Sequence, residues 1–136
     1  MAPVIGSLPA YAIDRLSGAG ATVVTTARST PHDLLQPELF VAADLSTAEG
    51  AETVVRAVRE RLGGLDILVH NVGGSSAPGG GFAALTDDAW QQALNSNLLA
   101  AVRLDRRLLP LMVAQGADVI IAASRPPPPT PPHGAP

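Results

Sequence analysis

The sequence predicts an α/β protein, an incomplete doubly wound, mostly parallel sheet with helices on both faces. Three observations carry that expectation. Four short apolar runs, "GATVVTTA", "ELFVAAD", "LDILVHN" and "ADVIIAAS", are partly β-branched and lack strict alternation, the pattern of strands covered on both sides. Helical patterns lie between them, and alternating strands and helices build parallel βαβ units. The chain is 46% hydrophobic but only 3% aromatic, so its core must be assembled from Ala, Val, Leu and Ile.

Taken in order, Val4-Ile5 reads as a stub of a first strand. "PAYAIDRLSGAG" follows as a helix with Pro9 in its first turn and its end near Gly18 or Gly20. "STAEGAETVVRAVRERLGG" opens with a capping box from Ser46 to Glu49, carries Ala51, Val54, Val55, Val58 and Leu62 on one stripe, and stops at Gly63-Gly64. Arg56 and Glu60 face outward. The next helix starts at Thr86, with acids in its first turn, and repeats Leu94, Leu98, Ala101, Val102, Leu108 and Leu109 at helical spacing. It is therefore apolar on more than one side. Within it, Asn95-Ser96-Asn97 is a cluster of poor helix formers that needs a reason. After Arg125, seven of the last eleven residues are proline, a composition that favours polyproline II and supplies no packing surface. One domain is expected over residues 1–124, with a Pro-rich disordered tail over 125–136.

Composition excludes several functions. The 136 residues make one domain by length, with a core burying roughly two thirds of the unfolded chain's surface. A net charge of −3, with the basic residues spread along the chain, argues against nucleic acid or an anionic membrane as partner. No cysteine is present, and His32, His70 and His133 are too scattered for a metal cage, so no metal site is expected. No run approaches the roughly eighteen apolar residues of a membrane span, and the N-terminus lacks a basic region followed by a long apolar stretch, so a cytoplasmic location is expected. All nine basic residues are arginine.

In doubly wound sheets the ligand crevice lies beyond the carboxyl ends of the strands, so the residues there are Arg28, Asp44, the segment 70–76 and Ser124. Read in order, "GATVVTTARS", "AADLS", "LDILVHNVGG", "LNSNLLAAVRL" and "VIIAAS" resemble the short-chain dehydrogenase/reductase family over about Ala12 to Ser124. The run "LDILVHNVGG" is similar to the family's Asn-Asn-Ala-Gly strand end. The resemblance implies a Rossmann-like fold and reaction of a carbonyl or alcohol substrate with a nicotinamide cofactor. It implies that Asp44 and Leu45 line the adenine pocket, although an Asp before "LSTAE" also serves to lead into a helix cap. Asn71, Val72 and Gly73 would carry the chain past the cofactor, with a plain loop as the alternative. Glycine suits close approach because it has no Cβ. Arg28 stands where an acid would bind the ribose of NAD; it can instead pair with the 2′-phosphate of NADP, so NADP is favoured over NAD unless Arg28 is an ordinary solvated residue. Asn97 would hold a water in the proton-relay path, and Ser124 would be the catalytic serine.

The chain also departs from the family pattern. The resemblance implies a general-acid tyrosine beyond Ser124 and, one helical turn later, a lysine; here the one tyrosine is Tyr11 and lysine is absent. A phenol near its reference pKa of about 10 is a poor acid at neutral pH without a neighbouring cation. Of the family's three phosphate-loop glycines only Gly6 remains, so weak cofactor binding is expected. A truncated or degenerate, inactive member is expected, its tail reflecting an altered frame, a truncation or an engineered end. The competing class is a noncatalytic binding or assembly module. In either case Leu104, Leu108 and Leu111 are expected on an uncovered apolar face that promotes self-association through residues 86–113.

Overall fold

The computed structural model describes residues 3–34, 36–116 and 119–123. Five strands form one parallel sheet in the order β3-β2-β1-β4-β5: β1 Pro3–Gly6, β2 Thr22–Ala27, β3 Phe40–Ala42, β4 Ile67–His70 and β5 Val119–Ala122. All four neighbouring pairs run parallel, and Ile5 sits beside both Val24 and Leu68. Helix α1 (Ala10–Gly18) connects β1 to β2, α2 (Ala48–Ala57) connects β3 to β4, and α3 (Asp87–Leu94) with α4 (Ala100–Gln115) connects β4 to β5, whereas the segment between β2 and β3 carries the short 3-10 turn Pro37–Leu39.

Successive strand residues point to opposite faces, and here both faces are covered. Ile5, Val24 and Leu68 pack with Ala51, Val54, Val55 and Val58, and with Leu104, Leu108 and Met112 of α4. Val4, Val23 and Val69 face the other way, against Leu8 and against Ile13 and Leu16 of α1. This two-sided burial is why the runs read as continuous apolar stretches. At β5 the covering stops, and Val119, Ile120 and Ile121 are exposed.

Three expectations are corrected. The N-cap of α2 is Thr47, whose Oγ1 accepts from the Gly50 amide at 3.0 Å; Ser46 is drawn off by Asp44, so the Ser46–Glu49 box does not form. The helix after Thr86 is not uniform either. Thr86 does cap it, but α3 and α4 are joined by a wider π-type turn, Asn95–Leu99, and Pro110 lies inside α4. Leu104 and Leu108 are buried and Leu111 is half-buried, because α4 turns that side onto α2 and the sheet. The uncovered stripe is Trp90, Leu94, Leu98, Val102, Leu109 and Val113. Ser124 and the Pro-rich segment 125–136 lie outside the described residues. Among the described residues, no helix is long and apolar enough to cross a membrane, and no cluster of His, Asp or Glu could hold a metal ion.

Candidate functional site

The sheet order reverses at β1, where successive connections leave to opposite sides, and a crevice opens beyond the carboxyl ends at such a point. It holds a cleft of about 430 Å³, lined by Thr26 to Arg28 after β2, Ala43 to Ser46 after β3, Asn71 to Ser76 after β4, Ser7 and Ser96. The cleft thus brings together Arg28, Asp44, Leu45, Asn71, Val72 and Gly73. Gly6 and Asn97 are not in its wall, and Ser124 lies outside the described residues.

Asp44 is held by Ser46, whose amide and hydroxyl both donate to Oδ1, at 3.0 and 2.7 Å. These bonds lower its pKa below the ordinary carboxylate value; the positive charge of Arg28 adds to them, while partial burial works the other way. The Asp44 carbonyl accepts from Thr47 Oγ1 at 2.9 Å, so the acid and the cap of α2 are one unit. Gly50 completes it, because a Cβ there would lie 1.9 Å from the Asp44 carbonyl oxygen. Leu45 turns its side chain into the main core and forms part of the cleft floor. Arg28 is exposed and, among the described residues, sits in no ion pair.

The loop after β4 is fixed from two sides. Asn71 donates from Nδ2 to the Ser7 carbonyl at 2.9 Å. Asn97, in the π-type turn, accepts from the Gly74 amide at 3.0 Å and donates to the Gly74 and Ala93 carbonyls, each at 2.9 Å. That arrangement explains the polar cluster inside an apolar helix: the side chain imitates a strand partner for Gly74. Both ends of its amide are engaged, with one acceptor position left on Oδ1. Gly73 is required by this clamp, since a Cβ there would lie 2.5 Å from Asn97 Oδ1. Gly6 is likewise a packing glycine. It ends β1, buried, and a Cβ would lie 2.7 Å from the Val69 carbonyl oxygen.

Three contacts escaped the sequence reading. His70 is buried at the end of β4, with Nε2 2.6 Å from Asp105 Oδ1 on α4. Its carbonyl accepts from the Ala123 amide at 2.7 Å, which brings the end of β5 beside the end of β4. Arg103 donates to the Ser46 carbonyl at 2.9 Å and to Asn95 Oδ1 at 3.0 Å, tying the Asp44 loop to the π-type turn. Gly50 carried one usable signal, a glycine in a first helical turn, where it weakens the helix unless something approaches closely.

The sequence profile of the short chain dehydrogenase family matches residues 9–126. The chain is 39% identical over 80 residues to the uncharacterized oxidoreductase YvrD of Bacillus subtilis, a match covering 59% of this chain and 29% of that protein. To the hydroxysteroid 11-beta-dehydrogenase 1-like protein of Macaca fascicularis it is 36% identical over 90 residues, 65% of this chain and 30% of that one. Among solved structures it is similar to L-sorbose reductase from Gluconobacter frateurii, complexed with NADPH and L-sorbose, at 35% identity and a TM-score of 0.75, covering 89% of this chain and 51% of that chain. The chain spans between 29% and 51% of the length of these three proteins.

Proposed function

Because the chain belongs to the short-chain dehydrogenase family, we propose that its cleft is the coenzyme-selecting part of an oxidoreductase linked to NADP(H) and acting on a carbonyl or alcohol. One observation carries the choice of coenzyme. Arg28 follows β2 in the cleft wall, outside any ion pair among the described residues, and "TTARS" places no acid beside it. A guanidinium there makes charge-assisted hydrogen bonds to a ribose 2′-phosphate, whereas an acid would bind unmodified ribose hydroxyls. The similarity to an NADPH-complexed reductase supports the same reading.

The residues fit the adenosine end of that coenzyme. Thr26, in the cleft wall, carries the one side-chain polar atom among the described residues that is buried without a partner, and Asp44 is kept ionised nearby by Ser46. When bound, the nicotinamide would supply or accept hydride. The chain's own part is to select the phosphate through Arg28 and to hold the wall through Asn97 and Gly74, with Ser124 as a hydrogen-bond donor to the substrate oxygen. No residue here replaces the tyrosine and lysine of the family: lysine is absent, and Tyr11 is 72% exposed on α1. Without an acid tuned to neutral pH, these 136 residues alone are expected to show no turnover. Calorimetric titration with NADPH and NADH tests the reading; a clear preference for NADPH supports it, and equal affinities reject it.

A noncatalytic assembly module is the second reading, favoured by the exposed stripe from Trp90 to Val113. It predicts self-association through residues 86–113 without dinucleotide binding. A monomer by light scattering at high concentration would reject it.

A further inference from the structure

The cleft is built for one half of a dinucleotide, and we infer that it recognises an adenosine bearing a 2′-phosphate, to which pyrophosphate and nicotinamide add no affinity. The inference rests on the coenzyme reading above and narrows it.

A bound pyrophosphate needs several backbone amides on a turn that approaches it without Cβ atoms. The turn between β1 and α1 is only Ser7, Leu8 and Pro9. Of these, Ser7 alone lines the cleft, so the turn offers it at most one backbone amide where several are needed. Leu8 is packed into the apolar cluster of Val4, Val23 and Val69. Pro9 has no N–H to offer. It occupies the N-cap of α1 without a side-chain hydrogen bond, and its carbonyl takes the amides of Ala12 and Ile13 at 3.0 and 3.2 Å. No residue of α1 is in the cleft wall. The remaining glycine, Gly6, spends its missing side chain on Val69 and not on a ligand.

The other end of the cleft is intact. Thr26 lies in β2, Arg28 directly follows that strand and Asp44 lies two residues beyond β3. Asp44 is locked by two bonds from Ser46, and the Ser46 carbonyl is held in turn by Arg103. Among the described residues Arg28 forms no ion pair and Thr26 Oγ1 is buried without a partner, which marks this as the end where a polar ligand would be held. Recognition therefore ends at the ribose.

The test is calorimetric titration of the full chain with NADP⁺, adenosine 2′,5′-bisphosphate, NAD⁺ and 5′-AMP. The inference expects the bisphosphate to bind as tightly as NADP⁺ or more so, with NADP⁺ no more than about threefold tighter, and Arg28→Ala to weaken both by the same factor. NADP⁺ binding more than about threefold tighter than the bisphosphate overturns the inference while leaving the coenzyme reading in place. Absence of binding by all four, or NAD⁺ and 5′-AMP matching their phosphorylated counterparts, overturns the coenzyme reading itself.

Discussion

Replacing Asn97 with alanine asks whether one amide holds the loop after β4. Its side chain makes two hydrogen bonds to Gly74, at 3.0 and 2.9 Å, and a third to the Ala93 carbonyl within its own helical run. The third contributes little, because a back-bond of that kind competes with the helix's own hydrogen bonds. A hydrogen bond is worth about 0.5–1.5 kcal/mol net, and the exposure of Asn97 puts each of the first two near the low end, so the expected loss is about 1–2 kcal/mol. Gly73 supplies the control. Gly73→Ala would bring a Cβ to 2.5 Å from Asn97 Oδ1, and that clash vanishes once Asn97 is alanine, although the φ of +156° still disfavours a side chain. Urea unfolding of the four proteins in the cycle should therefore show Gly73→Ala to be less damaging beside Asn97→Ala, with a coupling of at least about 0.5 kcal/mol. Effects that add within about 0.3 kcal/mol would refute the clamp. So would an Asn97→Ala protein whose Gly74 amide exchanges no faster than in the parent.

Other expectations follow from packing, charge and chemistry. Leu108→Ala should cost about 2–5 kcal/mol by denaturant unfolding because Leu108 is fully buried, whereas Leu109→Ser, at an exposed site, should stay within about 0.5 kcal/mol of the parent. Since Asp44 is ionised more readily in the folded chain, its contribution to stability is complete above the ordinary value of 3.8 and disappears as the pH falls through its lower folded value. Acid unfolding of Asp44→Asn should accordingly lose part of the slope below pH 3.8, and an unchanged profile would reject the Ser46 contacts as the cause. The purified chain should show no NADPH-dependent carbonyl reduction, with Ser124→Ala indistinguishable from it; turnover abolished by Ser124→Ala would mean that a residue taken as structural delivers the proton.

The strands were legible because burial on both faces leaves a compositional trace: Val4-Ile5, Val23-Val24 and Leu68-Val69 each send one side chain to either core. Even the shortest stub, Val4-Ile5, became the central strand. The cap of α2 was misplaced by one residue because Ser46 and Thr47 are equally good caps in sequence, and only the fold shows Asp44 capturing the serine. Which side of α4 is covered could not be read from a helix apolar on two sides; its packing on α2 and the sheet decided for Leu104 and Leu108. The contacts that tie the site together were the least legible. His70 meets Asp105 across 35 residues, and Arg103 reaches Ser46 across 57, with no local pattern linking either pair. Asn97 was picked out by its poor fit to a helix, and the strain proved to mark a tether to the cleft loop.

The most direct test of coenzyme selection is the affinity of the parent chain and of Arg28→Ala for NADPH and NADH, measured side by side by calorimetry. A charge-assisted contact to the 2′-phosphate is worth about 1.5–3 kcal/mol, so the parent should bind NADPH at least about tenfold more tightly than NADH. Arg28→Ala should bring the two affinities together by weakening NADPH alone, because NADH has no phosphate for the guanidinium to meet. Equal affinities in the parent, or an NADPH preference that survives Arg28→Ala, would contradict the assignment of Arg28 as the residue that selects the coenzyme.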